Sequence, residues 1–259
     1  MKLSILIPAY NERPSIRKLL ERLVEINLPD CEVVIVDDGS KDGTAEVVRD
    51  FISAYPNMRL FKQPVNQGKT AAIARAIAES TGDVLIVQDA DLEYDPAEIL
   101  EVMGPILKGQ ADVVYGSRFM VKKAARVLYF YHYLANKFLT LLSNLLTNRN
   151  MSDIETCYKA FRAEVIRPLL FKSRGFGMEI EITAMICKTD ARTYEVPISY
   201  YGRTYEEGKK VGLRDGVAAL WYIFYFNLLY PWTRSCREYV TTVNDKLAEI
   251  RTRNGEQNH

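Results

Sequence analysis

The sequence predicts an α/β fold, a mostly parallel sheet flanked by helices, and three observations carry that prediction. Apolar strand-like runs alternate with segments of helical period through the first half of the chain. Those runs are continuously apolar, as in "ILI" and "VVIV", which requires a sheet covered on both faces. Polar residues gather where the runs end, and ligands of open α/β sheets bind beyond the carboxyl ends of the strands.

Five runs read as strands: "LSILIPAY", "CEVVIVDDGS", "MRLFKQ", "DVLIVQDAD" and "ADVVYGSR". Between them, residues 14–26, 44–55, 69–79 and 97–107 place apolar side chains at i, i+3, i+4 spacing, as Ile16, Leu19, Leu20, Leu23 and Val24 do in the first. These are crossover helices. Tyr10, Asn11 and Glu12 follow the first strand, Asp37 and Asp38 the second, Asp89 and Asp91 the fourth, and Ser117 and Arg118 the fifth. One crevice can collect them all.

The second half has a different texture. Residues 127–147 read as a long helix whose polar side chains, His132, Asn136, Thr140, Ser143 and Thr147, form one stripe beside a broad apolar arc. That arc needs a partner: core, a dimer seam or a bilayer interface. Asn136, Lys137 and Asn144 argue against a membrane span. Residues 219–232 are rich in aromatics, which favour the membrane–water boundary, but Asn227 and Pro231 interrupt a run too short to cross about 30 Å of hydrocarbon. The charged stretch after Glu238 reads as a solvated helix with a frayed end. The expected division is therefore 1–217, including the 127–147 amphipathic helix, and 218–259, an aromatic membrane-proximal helix with a charged tail.

Length and composition, 259 residues with 48% hydrophobic content, suit one large domain or a domain with a small appendage. Net charge is +1, from 34 basic and 33 acidic residues, so no bulk field recruits nucleic acid. An anionic ligand must be held locally. Cys31, Cys157, Cys187 and Cys236 form no C-x-x-C pair, which points to reduced thiols rather than zinc or a disulfide framework. The first apolar run is too short for a secretory leader and is interrupted by Pro8, so the expectation is a cytoplasmic chain that begins with a strand.

Three familiar patterns fail. "VNQGKT" lacks the first glycine of a P-loop, "DDGSKDG" lacks G-x-G-x-x-G spacing, and "DADLEYDP" lacks the glycine and the final glutamate of an EF-hand. What survives is Asp89 and Asp91 at the end of a buried strand. Hard oxygen ligands on a rigid support suit Mg2+ or Mn2+, completed by phosphate oxygens and water. The alternative, capping of the helix that follows Pro96, suits Asp95; Asp89 and Asp91 come several residues too early.

In order and spacing, "ILIPAYNE", "VVIVDDGSKDGT", "NQGKTAAIARAI", "VLIVQDADLEYDP" and "VVYGSR" resemble the inverting GT-A glycosyltransferases that use nucleotide-sugars. "SDIETCYKAFR", "GFGMEIEI", "EVPISYYGRTYEEGKK" and "LRDGVAALW" narrow the resemblance to the dolichol-phosphate mannosyltransferase branch and its bacterial polyprenyl-phosphate relatives, over roughly residues 1–225. The resemblance implies that Pro8, Tyr10, Glu12, Val36 and Asp38 hold the nucleoside, and that Asp89, Ala90 and Asp91 meet the diphosphate and the metal. Glu93 takes a third ligand-like position, where some relatives have Gln. Arg118, Arg203 and Lys209, with Lys210 as the alternative to the last, match cations that bind the acceptor phosphate. Relatives often read R-x-x-G-x-S-K, whereas this chain has "RTYEEGKK". Asp153 matches a carboxylate suggested as a base; orienting a cation or capping a helix are its other roles.

The chemistry agrees with these assignments. Strand-end carboxylates accept from base N–H or ribose hydroxyl groups, and Tyr10 offers a ring for stacking. The implied activity is metal-dependent transfer of a hexose from a GDP-mannose or UDP-hexose type donor to a polyprenyl phosphate, with inversion. The implied setting is the cytosolic, inner face of a membrane, where the protein is peripheral, with C-terminal amphipathic interfacial helices and a homodimer or membrane-protein partner. Two other readings stand beside it: a same-fold enzyme that glycosylates a saccharide or protein hydroxyl, for which Asp153 becomes an essential base, and a non-catalytic membrane-associated subunit that binds nucleotide-sugar.

Overall fold

The computed structural model describes residues 1–120, 126, 129–175, 177–202, 213–253 and 255. The five expected strands form as β1 (Leu3–Ala9), β2 (Cys31–Asp37), β3 (Met58–Lys62), β4 (Val84–Val87) and β5 (Val113–Ser117). Two more join them: β6 (Lys159–Arg162) and β7 (Thr193–Pro197). Sheet order is β3-β2-β1-β4-β6-β5-β7, parallel throughout except for β6, which runs antiparallel to both of its neighbours.

Charge hides β6 from a sequence reading. Its two ends are Lys159 and Arg162, both buried: Lys159 Nζ donates to the Ile154 and Thr156 carbonyls, and Arg162 pairs with Asp112 at 3.1 Å. Edge strand β7 is masked differently, by an exposed Tyr194 and a charged Glu195 in five residues.

The crossover helices are α1 (Arg13–Ile26), α2 (Thr44–Ile52), α3 (Lys69–Glu79) and, after a 3-10 turn at Pro96–Glu98, α4 (Ile99–Leu107). Successive strand residues point to opposite faces, so Ile5, Ile7, Val33 and Ile35 meet α1, α2 and α4, while Leu6, Val34 and Val36 join the core beneath α3. Both faces are covered, as continuous apolar strands require. On the α3 side lie α5 (Phe130–Thr147), the short α6 (Ala163–Ile166), α7 (Met178–Ile186) and α8 (Leu213–Phe224). A π-turn at Tyr225–Leu229 and a 3-10 turn at Tyr230–Trp232 lead into α9 (Arg234–Arg253).

Two expectations change. The stretch after Glu238 is no solvated tail: Cys236, Tyr239, Val243 and Leu247 form one buried stripe of α9, the Tyr239 hydroxyl donates to the Val165 carbonyl at 3.1 Å, and Arg251 reaches Asp112 at 3.2 Å. A stripe about one residue wide per turn is easily lost among charges. Helix α8 runs unbroken through residue 217, and its Ala219 and Ile223 enter the same core as α9.

The polar stripe of α5 faces inward. Its small polar residues Thr140 and Ser143 face inward at 3% and 2% exposure, while Phe130, Leu134, Phe138, Leu141 and Leu145 face out. Among the described residues, no helix is long and apolar enough to cross a membrane, and all four cysteines are free.

Candidate active site

The loops after β1 and β2 are stitched together. Asn11 N–H donates to Ser40 Oγ, Lys41 N–H donates to Asn11 Oδ1, and Glu12 N–H donates to Thr44 Oγ1. Ser15 fixes the Glu12 carboxylate at 2.9 Å, and Tyr10 lies at the surface. Val36 is fully buried and pairs in register with Pro8, so only its backbone can meet a ligand.

Asp38 organises the loop before α3. Its Oδ1 accepts from Gln63 Nε2 and Gln67 N–H, and its Oδ2 from Asn66 Nδ2 and Gly68 N–H, at 2.7–2.9 Å. Gly39 lets this loop close in: φ is +71°, and a Cβ would lie 2.7 Å from the Val65 carbonyl carbon. Asp37, the last residue of β2, is fully buried, and its Oδ1 has no protein partner. A buried carboxylate oxygen in that state marks a ligand or water position at the crevice.

Beyond β4, the chain turns through Leu92 in the left-handed region, φ +63°, and Glu93 N–H donates to Asp91 Oδ1 at 3.1 Å. Strain of this kind collects at functional loops. Asp95 caps the 3-10 turn by accepting from Ala97 N–H, as its place before Pro96 suggests. Lys69, the first residue of α3, sets its ammonium 2.8 Å from Asp89, 3.5 Å from Glu179 and 2.9 Å from Cys157 Sγ. Burial pulls the Lys69 pKa down, but Asp89, Cys157 and Glu179 raise it well above the usual lysine value. Burial, then Asp89, drives the Cys157 thiol up, so it stays protonated. Asp89 therefore carries a fixed counter-charge.

Across the sheet, Arg118 follows β5 and holds Asp153 with two parallel bonds of 2.7 Å, while its own N–H donates to Asp153 at 3.1 Å. Asp153 is fully buried. Burial raises its pKa, and the Arg118 guanidinium pulls it below the usual carboxylate value. Glu195 of β7 supports the pair by accepting from the Ser152 and Asp153 N–H groups. Next in the chain, Phe119 meets Tyr133 edge-on at 5.2 Å and lies 4.5 Å from Lys137 Nζ, which ties Arg118 to the outward-facing helix α5. Glu155, two residues beyond Asp153, has its pKa raised to about 7 by burial and by Glu179, and its Oε1 has no protein partner.

The parallel strands β1, β2, β4 and β5 end at one edge of the sheet, where Tyr10, Glu12, Asp38, Asp89, Ala90, Asp91 and Arg118 follow them, and Asp153 is joined to this edge through Arg118. Arg203, Lys209 and Lys210 lie outside the described residues. Sequence reading overlooked Lys69, Glu155, Glu179 and Tyr200. For Lys69 a signal existed: a lysine in the first turn opposes the helix dipole and needs a compensating anion. Tyr200 donates to Glu93 Oε2 at 2.8 Å, so that carboxylate is already engaged.

The donors present fit a divalent cation. Asp91 supplies hard oxygen beside the counter-charged Asp89, and no group of three metal-ligating side chains occurs among the described residues. Diphosphate oxygens and water would complete such a shell, as Mg2+ and Mn2+ accept.

A family model described as glycosyl transferase family 2 matches residues 4–170. The dolichol-phosphate mannosyltransferase of Pyrococcus furiosus is 30% identical over 215 residues, 82% of this chain and 60% of that protein. The undecaprenyl-phosphate mannosyltransferase of Micrococcus luteus is 27% identical over 241 residues, 85% of this chain and 96% of that one. Glucosyl-3-phosphoglycerate synthase from Mycobacterium tuberculosis, solved with Mn2+, UDP-glucose and phosphoglyceric acid, superposes with a TM-score of 0.64 at 19% identity, covering 87% of this chain and 79% of that one. Another structure of it, in complex with phosphoglyceric acid, gives 0.65 at 18%, covering 87% and 80%. The chain belongs to glycosyl transferase family 2, and its seven-stranded sheet has the GT-A fold.

Proposed function

We propose that the protein transfers a hexose from a nucleotide-sugar to a polyprenyl phosphate at a membrane surface, with inversion at the sugar carbon. One observation carries the choice of acceptor: the Asp153 carboxylate is buried in a two-pronged bond with Arg118, which leaves it a poor base. An acceptor phosphate needs no base, because it is already an anion at neutral pH. The names of the archaeal and bacterial relatives support the same acceptor class.

In this reading Glu12, Tyr10 and the Asp37–Asp38 corner receive the nucleoside, and Asp91 would hold a divalent cation. When bound, that cation stabilises the charge left on the departing nucleotide. Lys69 keeps Asp89 from repelling the diphosphate. Arg118, aimed by Asp153, meets the acceptor phosphate, joined by Arg203 and Lys209 on the strength of the family resemblance. The acceptor oxygen attacks the sugar carbon opposite the leaving group, through an oxocarbenium-like transition state. The isoprenoid tail follows the outward apolar stripes of α5 and α8, of which the α5 stripe is tied to Arg118 through the contact of Phe119 with Tyr133.

The test incubates purified protein with Mg2+ or Mn2+, a panel of GDP- and UDP-sugars and short polyprenyl phosphates. Lipid-linked sugar should form, and Asp91→Ala should lower its rate by about 10²–10³-fold. Undiminished product in that variant overturns the metal assignment. Glu155→Gln separates the acceptor classes, because Glu155 is suited to take a proton near neutrality. Transfer to phosphate should survive the change; transfer to a saccharide hydroxyl that collapses with it would favour the base-requiring reading.

A further inference from the structure

We infer that Tyr200 is a positioning residue that couples the donor and acceptor sides of this crevice. The inference rests on the reading that Asp91 serves the donor diphosphate and Arg118 the acceptor phosphate. A continuous path joins them. Asp91 Oδ1 accepts from Glu93 N–H at 3.1 Å, and Glu93 Oε2 accepts from the Tyr200 hydroxyl at 2.8 Å. The face of the Tyr200 ring lies 5.2 Å from the Arg118 guanidinium carbon, and Arg118 is locked onto Asp153. One side chain therefore touches both the metal loop, through its hydroxyl, and the acceptor cation, through its ring.

Neighbouring contacts fix Tyr200 in that place. Tyr201 N–H donates to the Glu93 carbonyl at 2.9 Å, so backbone and side chain hold the same residue from two directions. Ser199 gives both its N–H and its hydroxyl to the buried Glu98 carboxylate at 2.9 and 2.8 Å. The Tyr94 ring packs against Tyr200 with centroids 5.4 Å apart. With its ring clamped and its single proton donated to Glu93, Tyr200 cannot follow a shift of the metal loop without moving against Arg118. Occupation of the donor site then favours the guanidinium position that receives the acceptor, and linkage makes the effect reciprocal.

The path is separable by one atom. Tyr200→Phe keeps the ring against Arg118 and Tyr94 and removes only the bond to Glu93. Binding of farnesyl phosphate to the full chain is measured by calorimetry without turnover, alone and in the presence of Mn2+ with GDP or, separately, UDP. In wild type the nucleotide and Mn2+ should tighten farnesyl phosphate binding by about fivefold or more. In Tyr200→Phe each ligand alone should bind within about twofold of wild type, and the tightening should fall toward one. Equal tightening in both proteins, or none in wild type, overturns the coupling. Glu93→Ala breaks the same link from the other end, so a poorly folding Tyr200→Phe would not end the test, and the double variant should lose no more coupling than either single one. Failure of the underlying reading looks different: nucleotide with Mn2+ would bind Asp91→Ala as tightly as wild type, or farnesyl phosphate would bind Arg118→Ala as tightly, whatever Tyr200 does.

Discussion

Helices α5 and α9 have 18 and 20 residues, and they solve opposite problems. Helix α9 is mostly polar, yet its thin apolar stripe finds a matching core, with Val243 and Leu247 almost wholly hidden. Helix α5 is mostly apolar, yet it turns Thr140 and Ser143 inward and leaves Tyr131 82% and Leu145 71% exposed. Composition alone would assign the burial the other way round. What decides it is whether the sheet offers a complementary surface, and for α5 the excess apolar area stays exposed. Helix α8 adds Val217, Trp221 and Phe224 to the exposed apolar residues, and the proposed membrane surface would cover them.

The contrast can be broken at its strongest point first. Asp112 gathers Arg162 of β6, Arg192 before β7 and Arg251 of α9. Asp112→Ala strands these cations, and urea unfolding should show a loss of about 3–5 kcal/mol. Leu247→Ala, in the buried stripe of α9, should cost about 2–5 kcal/mol in the same measurement. A value near zero would mean that α9 is the solvated helix its composition suggests.

Acid provides a sharper version. Burial raises the Asp112 pKa, but bonds from Arg192 and the charge of Arg162 carry it below the usual carboxylate value. The unfolded chain then binds the proton more readily than the folded one, so this stabilisation is present above about pH 3.9 and disappears as pH falls through the depressed folded value. Asp112→Asn should accordingly narrow the difference between urea midpoints at neutral and acid pH. An unchanged difference would remove Asp112 from the acid response.

Replacing Leu141 and Leu145 of α5 by Ser should have the smallest effect on folding, within about 0.5 kcal/mol, because both side chains are exposed. Flotation with lipid vesicles should nevertheless fall by about tenfold or more, since each leucine contributes about 1.5 kcal/mol or more on entering an apolar phase. Vesicle binding that persists while a dimer dissociates would make the face a subunit seam.

Legibility of the fold followed the range of the interactions involved. Strands β1 to β5 and helices α1 to α4 were readable because their apolar spacing is local and uninterrupted. Strand β6 was not, because Lys159 and Arg162 make sense in a buried strand only beside the carbonyls and the carboxylate that receive them. The same limit applied at the site. Asp89, Asp91, Arg118 and Asp153 stood out by position and resemblance, whereas Lys69 and Tyr200 acquire meaning only from partners at Asp89 and Glu93. Glu93 itself, matched by resemblance to a metal-ligand position, is seen in the fold accepting from Tyr200.

By itself the sequence determined a mostly parallel sheet covered on both faces, polar residues gathered at its strand ends and a pair of carboxylates of the kind a divalent cation takes. Hydrophobic period and turn residues act over a few positions, and a linear reading captures them. Tertiary structure alone decided which charges neutralise one another and which apolar face stays open. Arg118 meets Asp153 across 35 residues, Lys69 meets Asp89 across 20, and Arg251 meets Asp112 across 139. A charge becomes a buried pair, and a leucine an outward one, only when distant segments supply or withhold the surface against it.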